Sequence, residues 1–240
     1  MSGVKRAVVV GVVLCASLIG CSQEKKPEPV PLPRTTVSNA VDLETDKAAV
    51  TQAFTAYREA LLAKNGKAAA ALLTADSLAY YARLKKLALS APEAELRRVQ
   101  LSEQLAVLFL RLRVRADDLR RWSPTELGID SVENDQSSTG AKVSRMSTGA
   151  VDVSGDTASV LMKLDGKETG FSFSFWRESG HWKFRMLPLL ESGENSMRAI
   201  VQERHLTNRT FIDRTLAARY PDPAAIALAW RPLDSQLHRG

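Results

Sequence analysis

The chain has 240 residues, 45% hydrophobic and 25% charged, a balance that suits one sizeable core and excludes a wholly disordered polymer. Its formal charge of +6 falls to +4 once Lys5 and Arg6 are set aside with the segment expected to be removed. That excess is too mild for a nucleic-acid binder, so nucleic acid is not an expected partner. Both cysteines, Cys15 and Cys21, lie at the start, which leaves the remainder without a disulfide, a thiol nucleophile or a Cys-based metal site.

Lys5 and Arg6 precede the uncharged, Val- and Leu-rich run 7–20. Fourteen helical residues rise only about 21 Å, short of the roughly 30 Å hydrocarbon core, which favours an export signal over a permanent span. The run ends in Leu18-Ile19-Gly20-Cys21, which resembles the lipobox of bacterial lipoproteins. The resemblance implies removal of residues 1–20, diacylglycerol on the Cys21 thiol and, in many bacteria, acylation of its amine. Two or more acyl chains anchor stably where one does not. Ser22 in place of Asp is similar to the outer-membrane sorting pattern of Gram-negative lipoproteins, which implies an exported protein on the cell envelope facing the periplasm.

Pro27, Pro29, Pro31 and Pro33 alternate in a polar stretch after Cys21. That spacing forbids helix and favours extended chain, so residues 21–41 read as a lipidated cysteine and a tether reaching about 60 Å. From Thr45, Val50, Phe54, Tyr57 and Leu61 recur at helical spacing until Asn65-Gly66 supplies a stop. A short helix is expected over 67–73, another over 75–90 after Thr74. Pro92 opens the next, with Leu101, Leu105, Leu108 and Leu112 as its stripe. The alternating letters of 110–115 read as its continuation. Residues 75–122 hold ten Lys and Arg against six Asp and Glu. Arg111, Arg113 and Arg115 among them are expected on a solvated face, with an anionic lipid surface as the sharper alternative.

Residues 127–141 turn polar and read as a loop. Strand-like runs follow over 142–153, 158–164, 170–176 and 181–187. Gly155-Asp156, Asp165-Gly166 and Ser179-Gly180 stand where tight hairpin turns are needed, which predicts a four-stranded antiparallel meander. Alternation puts Phe171, Phe173 and Phe175 on one face with Trp182, Phe184 and Met186, facing Phe54 and Tyr57. Helices are expected over 195–206 and 208–220.

Helices first and antiparallel sheet after make an α+β order. Two stretches, AVTQAFTAYREALLAKNGKAAAALLTADSL at 49–78 and FSFSFWRESGHWKFRMLPL at 171–189, resemble the NTF2-like, cystatin-like superfamily. That resemblance implies N-terminal helices packed on a curved sheet of about four strands over 42–191, with a helical C-terminal extension over 192–240. It also implies a pocket, for which Tyr57, Tyr80, Phe173 and Trp182 are the candidate lining residues. Members include isomerases, dehydratases and non-catalytic assembly domains, so the fold alone does not decide activity.

No catalytic pair can be assembled from the residue pattern, and His181, His205 and His238 read as surface or satisfied histidines. No HExxH, phosphate loop or G-x-S-x-G string occurs. The expectation is therefore a cell-envelope binding or assembly module without metal or cofactor. Its partners would be the membrane through Cys21 and an envelope protein or a small apolar ligand. The alternatives are a small-molecule isomerase or lyase using the pocket, and a scaffold bound to peptidoglycan or a secretion complex.

Overall fold

The computed structural model describes residues 37–134 and 142–236, with side chains from residue 42 onward. Cys21, the signal segment, the tether prolines and His238 lie outside the described residues. The described chain is α+β, with eleven helices and one open four-stranded antiparallel sheet of order β1-β2-β3-β4.

Helix α1 spans Val37–Leu62 and so begins inside the stretch read as tether. No proline stands between Pro33 and Pro92, and nothing in the backbone stops the helix from reaching back. Lys64, at φ 51°, ends it instead of Asn65-Gly66. Asn65 is occupied as the N-cap of α2 (Gly66–Ala71), where its side chain accepts the Ala68 N–H at 3.0 Å. Gly66 is needed for close approach: a Cβ there would lie 2.4 Å from the Ile129 carbonyl oxygen of α7.

Next come α3 (Ala75–Ser90), α4 (Glu93–Leu96), α5 (Leu101–Arg113), α6 (Ala116–Arg121) and α7 (Pro124–Glu133). The single helix expected after Pro92 is thus two. The break is held open by Glu194, whose carboxylate accepts the first N–H groups of α5, from Leu101 at 3.1 Å and Ser102 at 2.7 Å. The expected loop at 127–141 is helical as far as Glu133, because Ser123 and Glu126 form a reciprocal capping box with Pro124 behind the cap.

The sheet comprises β1 (Met146–Ser154), β2 (Thr157–Leu164), β3 (Lys167–Glu178) and β4 (His181–Arg185). Its last two turns, Asp165-Gly166 and Ser179-Gly180, hold both residues at positive φ, the geometry that matches strand twist. Residues 142–145 are not strand; 142 and 143 form a helical turn, so β1 starts later than expected. The β4 edge is covered: Phe184 donates to the Leu72 carbonyl at 2.7 Å and accepts from Thr74 N–H at 3.1 Å. Strand β4 ends where the Met186 N–H turns to the Ser77 hydroxyl at 2.9 Å. Pro188 then opens α8 (Leu187–Glu203) eight residues earlier than expected. Helices α9 (Asn208–Ala217), α10 (Pro223–Ala229) and α11 (Leu233–Gln236) follow.

Two cores result. One lies under α1 on the sheet, with Val50, Phe54, Val160, Phe173, Phe175, Trp182, Phe184 and Met186 buried. The other is helical and joins Leu96, Leu101, Leu105, Leu108 and Leu119 to Ile212, Leu216, Ile226, Trp230 and Leu233. The segment read as a C-terminal extension therefore packs into the same core as α3–α6. Among the described residues no helix is long and apolar enough to cross a membrane.

Candidate functional site

The aromatic layer under α1 contains three of the four residues chosen as pocket lining. The Phe54 and Phe173 ring centroids are 5.5 Å apart, Tyr57 and Phe184 4.6 Å, and Phe173 and Phe184 5.5 Å. Rings at these separations touch. The space directly between them is filled by the rings themselves. Trp182, 7% exposed, sits at the end of the same face, where the Arg177 guanidinium lies 4.6 Å over its ring and pairs with Asp46 of α1 at 2.5 Å. Tyr80 is not gathered with them; it meets Tyr81 edge-on at 6.2 Å and packs against both cores.

Burial, aided by Tyr81, pushes the Tyr57 hydroxyl well above the ordinary phenol range, and burial beside Glu103 does the same to Tyr80. Phenols shifted that way stay protonated at neutral pH and make poor general bases.

A polar junction ties α3 to the outer sheet face. Buried Thr74 and Ser77 bond one another at 2.7 Å, Thr74 donates to Asp76 at 2.5 Å, and Arg185 donates to Asp76 at 2.7 Å while lying 4.1 Å over the Trp176 ring. Burial alone would raise the Asp76 pKa, but the Thr74 and Arg185 hydrogen bonds outweigh it and hold the carboxyl below its ordinary range. Every polar group named here has a protein partner, so the junction reads as a structural clasp.

Most of the basic stretch is the solvated face expected of it, with Arg97, Arg98, Arg115, Arg120 and Arg121 exposed, but Arg111 and Arg113 depart from it. Arg111 is 6% exposed and donates to five carbonyl oxygens: Leu87, Ala88 and Ala91 at the end of α3, and Ala229 and Trp230 at the end of α10. Two helix C-termini, with their partial negative charge, converge on one guanidinium. Burial pushes its pKa down to about 10, so it remains charged at neutral pH. Arg113 pairs with buried Asp130 at 2.5 Å. Only Arg115 of the three is largely exposed, near Asp118 at 3.9 Å. Residue type alone does not separate these roles; the stripe does, since Arg111 stands three residues after Leu108 on the buried side of α5.

An open cavity of about 300 Å³ lies where α5, α9 and α10 meet, lined by Arg97, Gln104, Thr207, Asn208, Arg209 and Trp230. None of these was singled out as pocket lining from the residue pattern, because the site is assembled from segments more than a hundred residues apart. Glu93 binds both arginines, accepting from Arg97 at 2.6 Å and Arg209 at 2.9 Å, and Asp213 accepts from Arg209 at 2.6 Å. Both guanidiniums lie over the Trp230 ring, Arg209 at 4.3 Å and Arg97 at 5.7 Å. Among the described residues no group of three or more His, Cys, Asp and Glu side chains is gathered as a metal site.

Compared with protein-family models, curated proteins and solved structures, the chain matches none.

Proposed function

We propose that this chain is a lipid-anchored binding or assembly module of the cell envelope, non-catalytic, with an NTF2-like arrangement of α1 and the sheet. The observation that carries the reading is the run of Lys5 and Arg6, the apolar stretch 7–20 and Leu18-Ile19-Gly20-Cys21, with alternating prolines behind it. The alternation would set the domain off from the bilayer.

What supports a binding role over an isomerase or lyase is the filled aromatic layer. Phe54, Tyr57, Phe173 and Phe184 pack ring against ring where the resemblance would put a pocket, and the one tyrosine among them, Tyr57, is shifted away from base chemistry. A filled interior leaves little room for an apolar small molecule held among Tyr57, Tyr80, Phe173 and Trp182, so the partner we propose is an envelope protein met elsewhere on the surface.

Cys21→Ser is expected to abolish fatty-acid labelling, leave the precursor uncleaved and block its sensitivity to an inhibitor of lipoprotein signal peptidase. A wild-type chain that takes up no labelled palmitate and ignores the inhibitor would refute the anchor.

A further inference from the structure

The sheet has a second face, turned away from α1. Cross-strand pairing sets two rows of four residues on it, Asp152–Ser159–Ser174–Arg185 and Ser154–Thr157–Trp176–Lys183, with Leu161 paired to Ser172 beside them. The row between these two, which contains Ala158, Phe175 and Phe184, points to the core and is buried. None of the ten outward residues is buried. Helix α1 and the first turn of α8 both pack into the aromatic side of the sheet.

Charge on this face is divided across the strands. Asp152 stands on β1, whereas Lys183 and Arg185 stand on β4, three strand spacings or about 14 Å away. Arg185 is held by Asp76 of α3 at 2.7 Å, but Asp152 and Lys183 enter no ion pair among the described residues. Farther along the sheet, Lys163 and Glu168 are cross-strand partners and offset one another. Between the two charged edges the side chains are mostly small hydroxyls, and Trp176 is the one aromatic ring.

A face that is acidic at one edge and basic at the other is complementary to itself turned over. A two-fold axis running along the strands, between β2 and β3, lays β1 of one copy over β4 of the other and sets Asp152 opposite Lys183 and Arg185 in both halves of the contact. The other in-plane axis, across the strands, would lay β1 on β1 and β4 on β4 and oppose like charges, which is unfavourable. We propose that the outer face of the sheet is a self-association surface that pairs two copies of this chain about the first axis. Sheets stacked face to face keep their strands within about 30° of one another, and the small hydroxyl residues leave room for Trp176 of the second copy. Four strands about 4.8 Å apart, with the eight residues of β2 rising about 3.3 Å each, span roughly 500 Å² per copy. Doubled, that is about the 1,000 Å² lower bound for a specific interface, so the pair is weak and reversible. The inference goes beyond the envelope-module reading and does not rest on Cys21, so either can fail without the other.

Sedimentation equilibrium of the full chain in density-matched neutral detergent is the test. The expected result is a monomer–dimer equilibrium in which the dimer is the main species by about 100 µM, with association weakened by added salt. Asp152→Lys alone and Lys183→Glu alone are each expected to weaken it about tenfold or more, because each change enters a two-fold contact twice and turns an attraction into a repulsion. The double variant Asp152→Lys/Lys183→Glu reverses both signs together and is expected to recover most of the lost affinity. Both positions lie outside the core, so thermal melts of the three variants are expected to match the parent chain. A chain that stays monomeric at about 100 µM, a dimer indifferent to both single reversals, or a double reversal no better than the single ones would each overturn the proposal.

Discussion

Arg111 shows how a residue type that is normally solvated can become a fixed point of the interior. It replaces water as the partner of five helix-terminal carbonyls, and deleting it strands them all. Arg111→Met, close in volume but without donors, is expected to cost on the order of 3–5 kcal/mol in denaturant unfolding, as breaking a buried charged network does. Arg111→Lys is expected to recover only part of that loss, since three donors on a point charge cannot reach two helix ends as a planar fork of five can. Glu194 is the matching case for an anion. Burial, its 3% exposure notwithstanding, is outweighed by the Ser102 and Leu101 N–H groups and by Arg198 at 2.6 Å, so its folded pKa lies below the usual carboxylate value. Asp76 is lowered likewise. A carboxyl with a depressed folded pKa contributes stability that is complete above its unfolded value and lost as pH falls through the folded one. Thermal unfolding followed from neutral pH downward is therefore expected to show stability falling through the acidic range, and Glu194→Gln to flatten that slope.

At the level of elements, β3 and β4 illustrate how far alternation carries. Cross-strand pairing sets Phe175 opposite Phe184 and Arg177 opposite Trp182, which puts the aromatic rows on one face and Trp176, Lys183 and Arg185 on the other. Phe173→Ala and Phe184→Ala are each expected to cost about 3–5 kcal/mol, the usual range for emptying an aromatic site in a core. Ser172→Ala, on the opposite face, is expected to stay within about 0.5 kcal/mol. Denaturant melts of the three variants check this, and near-neutral phenylalanine changes would be inconsistent with α1 resting on the sheet. The α2–α7 contact offers a second check on packing. Gly66→Ala would drive a methyl into the Ile129 carbonyl, so it is expected to destabilise, whereas Gly193→Ala, with open space around it in α8, is expected to be neutral or mildly stabilising.

On the scale of the whole molecule, the two cores meet along α3, whose Tyr80 and Tyr81 touch both. The helical core depends on the chain's last segments: Ile212, Leu216, Ile226, Trp230 and Leu233 are buried in it, and α10 supplies two of the carbonyls that hold Arg111. Removing residues 208–240 is therefore expected to abolish the cooperative thermal transition of the helical core as followed by circular dichroism. A truncated chain that melts at the same temperature would show that the C-terminal helices are dispensable. The same removal would also take away α9 and Trp230, and with them the cavity.

Local chemistry was enough to place α1, the hairpin turns and the aromatic face, because each is written in short-range terms: Val50, Phe54 and Tyr57 at helical spacing, Asp165-Gly166 and Ser179-Gly180 as left-handed turn pairs, phenylalanines two apart. Ser123 and Glu126 carried an equally local signal, the reciprocal capping box of α7, which the polar composition beyond them obscured. The break between α4 and α5, the end of β4 and the interior place of Arg111 are different. They are decided by Glu194, Ser77 and the α10 carbonyls, partners between 90 and 120 residues away in the chain. The cavity beside Trp230 belongs to the same class. Spacing can say which residues share a face of one helix; which face, carbonyl or donor from a distant segment meets it is settled only when the chain closes on itself.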